Sequence, residues 1–94
     1  MDTTTLRTFI ALAQIKNFTK TAQQLFVAQS TVTNRIRDLE MELGVPLFIR
    51  SHKQVDLTPS GQKFLDYAQR FVSLELAALQ DIQSSPTYAQ KINI

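Results

Sequence analysis

The chain has 94 residues, of which 44% are hydrophobic, and it carries 10 Lys and Arg against 8 Asp and Glu. That length fits one domain, and the apolar fraction excludes a disordered chain. Cysteine is absent, which excludes disulfides and thiolate metal sites, and no apolar run reaches the ~20 residues of a membrane span. The N-terminus also lacks the basic start and apolar core of a signal peptide, so we expect a cytoplasmic protein without a membrane segment.

Two short amphipathic helices are predicted first. Residues 3–15 place apolar side chains at the spacing of one helical face, with capping oxygens from an aspartate and three threonines at the start. The Lys-Asn pair at 16–17 is expected to end this helix, because Asn tolerates the left-handed conformation. Thr19 is expected to cap a second helix that ends near residue 25, and residues 26–28 are expected to form a turn.

The third predicted helix has the strongest signals. It extends from about Gln29 to Leu43, and Gly44 followed by Pro46 ends it. Small polar and basic side chains occupy the side opposite its apolar seam. The seam consists of Val32, Ile36, Leu39 and Leu43.

A hairpin and a long helix are predicted to follow. Residues 47–49 and 55–57 are short apolar stretches that favour two antiparallel strands, an arrangement called a wing when it follows a helix-turn-helix. Thr58 as cap and Pro59 at the first helical position then begin a helix that extends to about residue 83.

The long helix has two apolar stripes instead of one. A helix that is apolar on two sides must be covered on two sides, and the small domain can cover only part of one stripe. We therefore expect a homodimer. The first stripe, which we assign to dimerisation, consists of Leu65, Ala68, Val72, Leu76 and Leu79. The second consists of Phe64, Tyr67, Phe71, Leu74 and Ala78.

The last residues of the chain have the pattern of another unit. Ser84, Ser85 and Pro86 are typical of a hinge, and polar and apolar residues alternate towards Ile94 as in a strand. Because a single strand needs a partner strand, we expect a second domain to begin there.

Nothing in the sequence favours an enzyme. His52 is the only histidine, and no serine or carboxylate pattern accompanies it. One histidine without cysteine cannot supply the several ligands of a zinc site, and two glycines provide no phosphate-binding loop. We expect no catalytic residue, no metal and no cofactor.

The third helix is instead the candidate DNA-reading element. A major groove admits one α-helix, and a helix-turn-helix presents the N-terminal part of its second helix to base edges. Amide side chains there can pair with adenine, and Arg37 can reach guanine or phosphate. The candidate positions in this segment are Gln29, Ser30, Thr31, Thr33, Asn34, Arg35 and Arg37.

Two other interpretations of the same pattern stay open at this point. Polar outer faces are common on small helical domains, so the chain can also be a dimeric module whose outer faces bind protein. A different winged-helix family would keep DNA binding but change the geometry of the dimer.

Combined motifs across the chain resemble the DNA-binding domain of LysR-type transcriptional regulators. The matching pattern is F-T-K-x-A-x-x-L at 18–25, Q-S at 29–30, I-x-x-L-E-x-x-L-G-V-P-L-F-x-R at 36–50 and L-T-x-x-G at 57–61. The resemblance covers about residues 3–83.

This resemblance implies a mainly α fold. Three helices and a two-stranded wing would form residues 1–58, and a linker and dimerisation helix would form residues 59–84. Residues 85–94 then correspond to a hinge and the start of an effector-binding domain. The resemblance also implies binding to double-stranded DNA at partly palindromic promoter sites, as a dimer, with tetramers in the full-length protein. A small-molecule inducer is expected only for the effector domain.

The resemblance also assigns residues to DNA contacts. By position, four residues of the third helix match the family's recognition positions, namely Gln29, Ser30, Thr33 and Asn34, and Lys53 matches its wing contact. The full set that we expect to contact DNA is Thr19, Gln29, Ser30, Thr31, Thr33, Asn34, Arg35, Arg37, Arg50, His52 and Lys53.

The sequence departs from the family pattern at several positions. Ala28 stands where a capping serine is usual, and Thr21 replaces an alanine. Asn34 occupies a position where a longer, often basic side chain is common, which weakens the expectation of a guanine contact there. In the wing, His52 and Gln54 replace frequent glycines, so we expect a stiffer or differently shaped wing.

Overall fold

Helices make up most of the computed structural model, which describes residues 1–51 and 54–84. The elements in chain order are α1 (Thr3–Ile15), α2 (Phe18–Leu25), α3 (Gln29–Leu43), β1 (Phe48–Arg50), β2 (Val55–Leu57) and α4 (Pro59–Gln83). This arrangement confirms the predicted mainly α winged helix-turn-helix with a long helix after it. The strand expected towards Ile94 lies outside the described residues. No helix within the described ranges is long and apolar enough to cross a membrane.

The junction between α1 and α2 differs from the prediction. Lys16 takes the left-handed conformation that ends α1, with a φ of 58°. Asn17 is extended, and its side chain accepts a hydrogen bond from the Lys20 N–H at 2.8 Å. Asn17 therefore caps α2, and the prediction that Thr19 is the cap was wrong because Thr19 already lies in the first turn of the helix.

The other helix ends agree with the sequence prediction. Asp2 caps α1 by accepting from a backbone N–H of the first turn at 2.7 Å, and Gly44, with a φ of 75°, ends α3. The Thr58 hydroxyl accepts from the Gly61 N–H at 2.9 Å and caps α4. The N-terminus of α3 differs from the other three, since its N-cap residue Ala28 has no side-chain acceptor.

The segment that leads into the hairpin is tied to both neighbouring helices. The Glu40 carboxylate of α3 accepts from the backbone N–H groups of Leu47 and Phe48, at 2.7 and 3.3 Å. The Leu47 carbonyl in turn accepts from the Thr58 N–H at 2.9 Å. These bonds fix the base of the hairpin, which is antiparallel as predicted. Its register pairs Phe48 with Leu57, Ile49 with Asp56 and Arg50 with Val55.

Phe9 of α1 lies at the centre of the core and is 0% exposed. Its ring centroid is 5.4 Å from that of Phe48 in β1 and 5.3 Å from that of Phe64 in α4. One aromatic residue thus joins α1 to the hairpin and to the long helix, and α2 and α3 also contact α1. The predicted seam of α3 faces this core, with Val32, Ile36 and Leu39 buried and Leu43 half-buried.

Candidate nucleic-acid interface

The helix-turn-helix consists of α2, a tight turn and α3. Phe26 ends α2 in the left-handed conformation, with a φ of 58°, and the residue is 95% exposed. The next residue, Val27, returns to the core, and its N–H bonds to the Ala22 carbonyl at 3.0 Å. α3 then begins after Ala28, so its first backbone N–H groups have no side-chain acceptor at the cap.

The exposed surface of α3 includes four of the residues predicted to contact DNA, namely Gln29, Ser30, Asn34 and Arg37. Ser30, Asn34 and Arg37 lie on the side opposite the buried seam, and Gln29 is exposed as the first residue of the helix. Nη1 of Arg37 donates to Oδ1 of Asn34 at 3.3 Å. We call these four residues the reading row. It combines amide, hydroxyl and guanidinium groups, which are the groups that bind base edges and phosphates.

Thr19 joins the reading row from the first turn of α2. Its hydroxyl donates to Oε1 of Gln29 at 3.0 Å, so the N-terminal turns of the two helices meet there. Lys20 is exposed in the same turn and adds a positive charge that the site prediction omitted. Helix N-termini favour anions, so this turn is suited to a phosphate.

Three other predicted residues of α3 lie partly inside the protein. Thr31, Thr33 and Arg35 are half-buried, and the Thr33 hydroxyl donates back to the Gln29 carbonyl at 3.2 Å. Nη1 of Arg35 donates to the Thr8 hydroxyl of α1 at 3.1 Å. This bond directs Arg35 towards α1 and away from the reading row. Arg35 therefore joins two helices in the free protein, and its assignment as a DNA contact stays a prediction.

The hairpin places Arg50 beside the start of α2. The guanidinium carbon of Arg50 lies 4.5 Å from the centroid of the Phe18 ring, which is a cation–π contact. Asp56 lies on the other strand, and its Oδ1 is 3.3 Å from Nζ of Lys16 at the end of α1. This ion pair could not be predicted from the sequence, since Lys16 and Asp56 are far apart in the chain and follow no shared pattern. The two predicted wing contacts at the tip, His52 and Lys53, lie outside the described residues.

The exposed apolar surface of α4 differs from the stripe that we assigned to dimerisation. Ala68 is 0% exposed, and Leu65 and Val72 are half-buried against the core, because α1 packs along this side of α4. The assignment was therefore wrong for Ala68, which has no surface to offer a partner. Six large apolar residues of α4 are exposed: Tyr67, Phe71, Leu74, Leu76, Leu79 and Ile82.

The sequence of the chain is similar to those of known bacterial regulators. It matches the family model described as bacterial regulatory helix-turn-helix protein, lysR family, over residues 3–62. It is 40% identical over 82 residues to the HTH-type transcriptional regulator HdfR of Escherichia coli, and equally to the protein of that name from Escherichia fergusonii. The similarity covers 87% of this chain and 29% of each relative, so the chain spans less than a third of their length.

The fold is similar to those of solved regulators. A full-length OxyR variant from Pseudomonas aeruginosa matches with a TM-score of 0.85 and 34% identity, over 92% of this chain and 29% of that one. The complex of the BenM DBD with benA site 1 DNA gives a TM-score of 0.84 and 34% identity, covering 88% and 96% of the two chains. A CbnR DBD–DNA complex gives 0.78 and 39%, covering 89% and 94%. The chain belongs to the lysR family of bacterial regulatory helix-turn-helix proteins.

Proposed function

We propose that this chain is the DNA-binding and dimerisation part of a cytoplasmic transcriptional regulator, and not an enzyme. The reading row carries the proposal, because its side chains lie together on the outer side of the second helix of a helix-turn-helix. Two of the regulators with a similar fold, BenM and CbnR, were solved with DNA. In this proposal residues 1–58 form the DNA-binding domain and residues 59–84 the linker helix.

The N-terminal half of α3 enters the major groove. Asn34, Arg37 and Gln29 reach base edges there, while the first turn of α2 and the hydroxyl groups of α3 bind phosphates. The wing lies on the adjacent backbone or minor groove. The proposed contacts are Thr19, Gln29, Ser30, Thr31, Thr33, Asn34, Arg35, Arg37, Arg50, His52 and Lys53.

The regulator binds as a dimer through α4. Leu74 is 69% exposed, and Phe71 and Tyr67 are exposed beside it, so a second copy would remove a row of apolar side chains from water. Pairing two long helices also sets the distance between two copies of α3, which suits a partly palindromic site. Tetramers, and a response to a small-molecule inducer, belong in this proposal to a whole protein with an effector-binding domain after residue 84.

Selection from a randomised duplex library, followed by fluorescence anisotropy, tests DNA binding. We expect a selected duplex that binds more tightly than a scrambled one, with an affinity that falls as salt increases. Asn34→Ala should cost about 1–3 kcal/mol of discrimination at the base it contacts. Gln62→Ala, at an exposed position of α4, is the matched control and should change nothing. Failure to bind any duplex at low salt, by a chain that is folded and dimeric, contradicts the proposal.

Sedimentation equilibrium tests the dimer. Leu74→Glu places a charge in the exposed apolar row and should shift the chain from dimer to monomer. Gln80→Glu adds the same charge at an exposed polar position of the same helix and should leave the dimer intact. A wild-type chain that stays monomeric at high concentration contradicts this part of the proposal.

A further inference from the structure

The hairpin is too short to keep a fixed orientation relative to the helices without contacts to them. It contains three residue pairs, and an isolated hairpin of that size is marginal at best in water. Its base is fixed, because Phe48 packs on Phe9 in the core. Towards the tip, the last described pair joins Arg50 to Val55. The orientation of the described strands therefore depends on what their side chains contact.

Two residues of the hairpin contact the junction between α1 and α2 and the first residue of α2. Arg50 lies over the Phe18 ring, and Asp56 pairs with Lys16. Side chains alternate across a strand, so Arg50 shares a face with Phe48, whereas Asp56 lies on the opposite face. Lys16 at the end of α1 and Phe18 at the start of α2 thus contact the hairpin from both faces. We call these two contacts the wing clamp.

Asp56 also connects the clamp to Gln54, which precedes β2. The Gln54 side-chain amide donates to Oδ2 of Asp56, and the Gln54 carbonyl accepts from the Ser51 N–H at 3.0 Å. At the other end of the ion pair, the Lys16 backbone is held by its N–H bond to the Leu12 carbonyl at 2.8 Å. One carboxylate therefore joins Gln54 to the C-terminus of α1.

We propose that Asp56 is a positioning residue for DNA binding, which sets the angle between the wing and α3 through Lys16 and Gln54. This inference rests on the proposed function, since the wing and α3 must meet one duplex together. An exposed ion pair adds little to stability, but a wing already held in its bound direction has less freedom to lose on binding. Whether removal of the Asp56 carboxylate weakens or tightens DNA binding distinguishes positioning from a direct charge effect. A carboxylate that acted through its charge alone would repel DNA, so its removal would tighten binding.

Anisotropy with two duplexes tests the proposal. The long duplex includes the flanking base pairs that the wing contacts, and the short duplex ends before them. Asp56→Asn should weaken binding to the long duplex roughly three- to tenfold and leave the short duplex unchanged. Asp66→Asn is the matched control, because Asp66 pairs with Arg70 at 2.8 Å on α4. Tighter binding of Asp56→Asn to both duplexes, or no change on either, overturns the proposal.

Exchanging the charges of Lys16 and Asp56 distinguishes a role of the ion pair in positioning the wing from the loss of either side chain alone. Lys16→Asp and Asp56→Lys should each weaken binding to the long duplex, and the double variant should recover most of the loss. Additive losses in the double variant overturn the clamp. If the wild-type chain binds neither duplex, the proposed function fails, and NMR of the free chain still tests the clamp. Backbone amides of residues 54–57 should become more mobile in Asp56→Asn, and unchanged mobility overturns it.

Discussion

Gly61 lies directly against the carbonyl group of Leu47. A Cβ added to Gly61 would stand 2.1 Å from that oxygen and 2.9 Å from Cδ2 of Leu57. The oxygen cannot move away freely, because it accepts from the Thr58 N–H at 2.9 Å and belongs to a fully buried residue. The first turn of α4 therefore packs on the segment leading into the wing at a distance that only glycine permits.

Gly61→Ala should destabilise the chain by about 1–3 kcal/mol, which is the usual cost of overpacking. This loss should outweigh the roughly 0.5–1 kcal/mol that alanine gains over glycine inside a helix. Gly44→Ala should also destabilise, but through backbone strain alone, because nothing lies within 4 Å of an added Cβ and the φ of 75° disfavours a side chain. Urea denaturation measures both. A Gly61→Ala chain as stable as wild type would show that the backbone moves apart at little cost.

Asn17→Ala should lower the unfolding free energy by about 1 kcal/mol, because it removes the side chain that caps α2. Thr19→Ala should stay within about 0.5 kcal/mol of wild type, since an exposed residue inside the first turn has little effect on stability. Its effect should appear in DNA affinity instead. The opposite order of stabilities in thermal denaturation would restore Thr19 as the cap.

Thr21→Val should stabilise the chain by about 1 kcal/mol, because it removes a buried hydroxyl without a partner. Thr21 is 0% exposed, and its Oγ1 has no hydrogen bond among the described residues. Thr8→Val is the matched control. The Thr8 hydroxyl is also buried, but it donates to the Thr4 carbonyl at 3.0 Å and accepts from Arg35 at 3.1 Å. Thr8→Val should therefore destabilise, and equal effects of the two substitutions would contradict this account.

Acid should lower the unfolding free energy of the chain by protonating two carboxylates, those of Asp2 and Asp56. The Thr5 backbone N–H lowers the pKa of Asp2, and the Gln54 amide, followed by the Lys16 ammonium, lowers the pKa of Asp56, both below the ordinary 3.8. A lowered folded pKa gives stability that is present above pH 3.8 and lost as the pH falls through the folded value. NMR titration of the carboxyl carbons checks this. A midpoint at or above 3.8 for either residue in the folded chain would contradict it.

Local signals were sufficient to predict α3 and α4. Gly44 ends α3 in the left-handed conformation, and Thr58 with Pro59 begins α4, so both helices lie within the predicted limits. The cap of α2 was harder, because Asn17 and Thr19 both provide an acceptor oxygen. The choice between them depended on Lys16, which took the left-handed position and left Asn17 extended.

Contacts between distant residues could not be predicted from the sequence. Arg35 has the same chemistry as Arg37, and only the position of Thr8 on α1 separates a contact between helices from an exposed residue. The burial of Ala68 depends on which side of α4 meets α1, and the two apolar stripes look alike in the sequence. Asp56 likewise gains its role only when the fold brings Lys16 within 3.3 Å.

In the proposed DNA complex, the uncapped start of α3 would couple the folding of the chain to DNA binding. The other three helices carry their own caps, whereas α3 leaves its first N–H groups without a side-chain acceptor at the end that would face phosphates. Phosphate oxygens of a duplex would then accept from these N–H groups in place of a cap. Binding to DNA would therefore add stability that the free chain lacks. Ala28→Ser should therefore raise the melting temperature of the free chain while reducing the further rise that DNA produces.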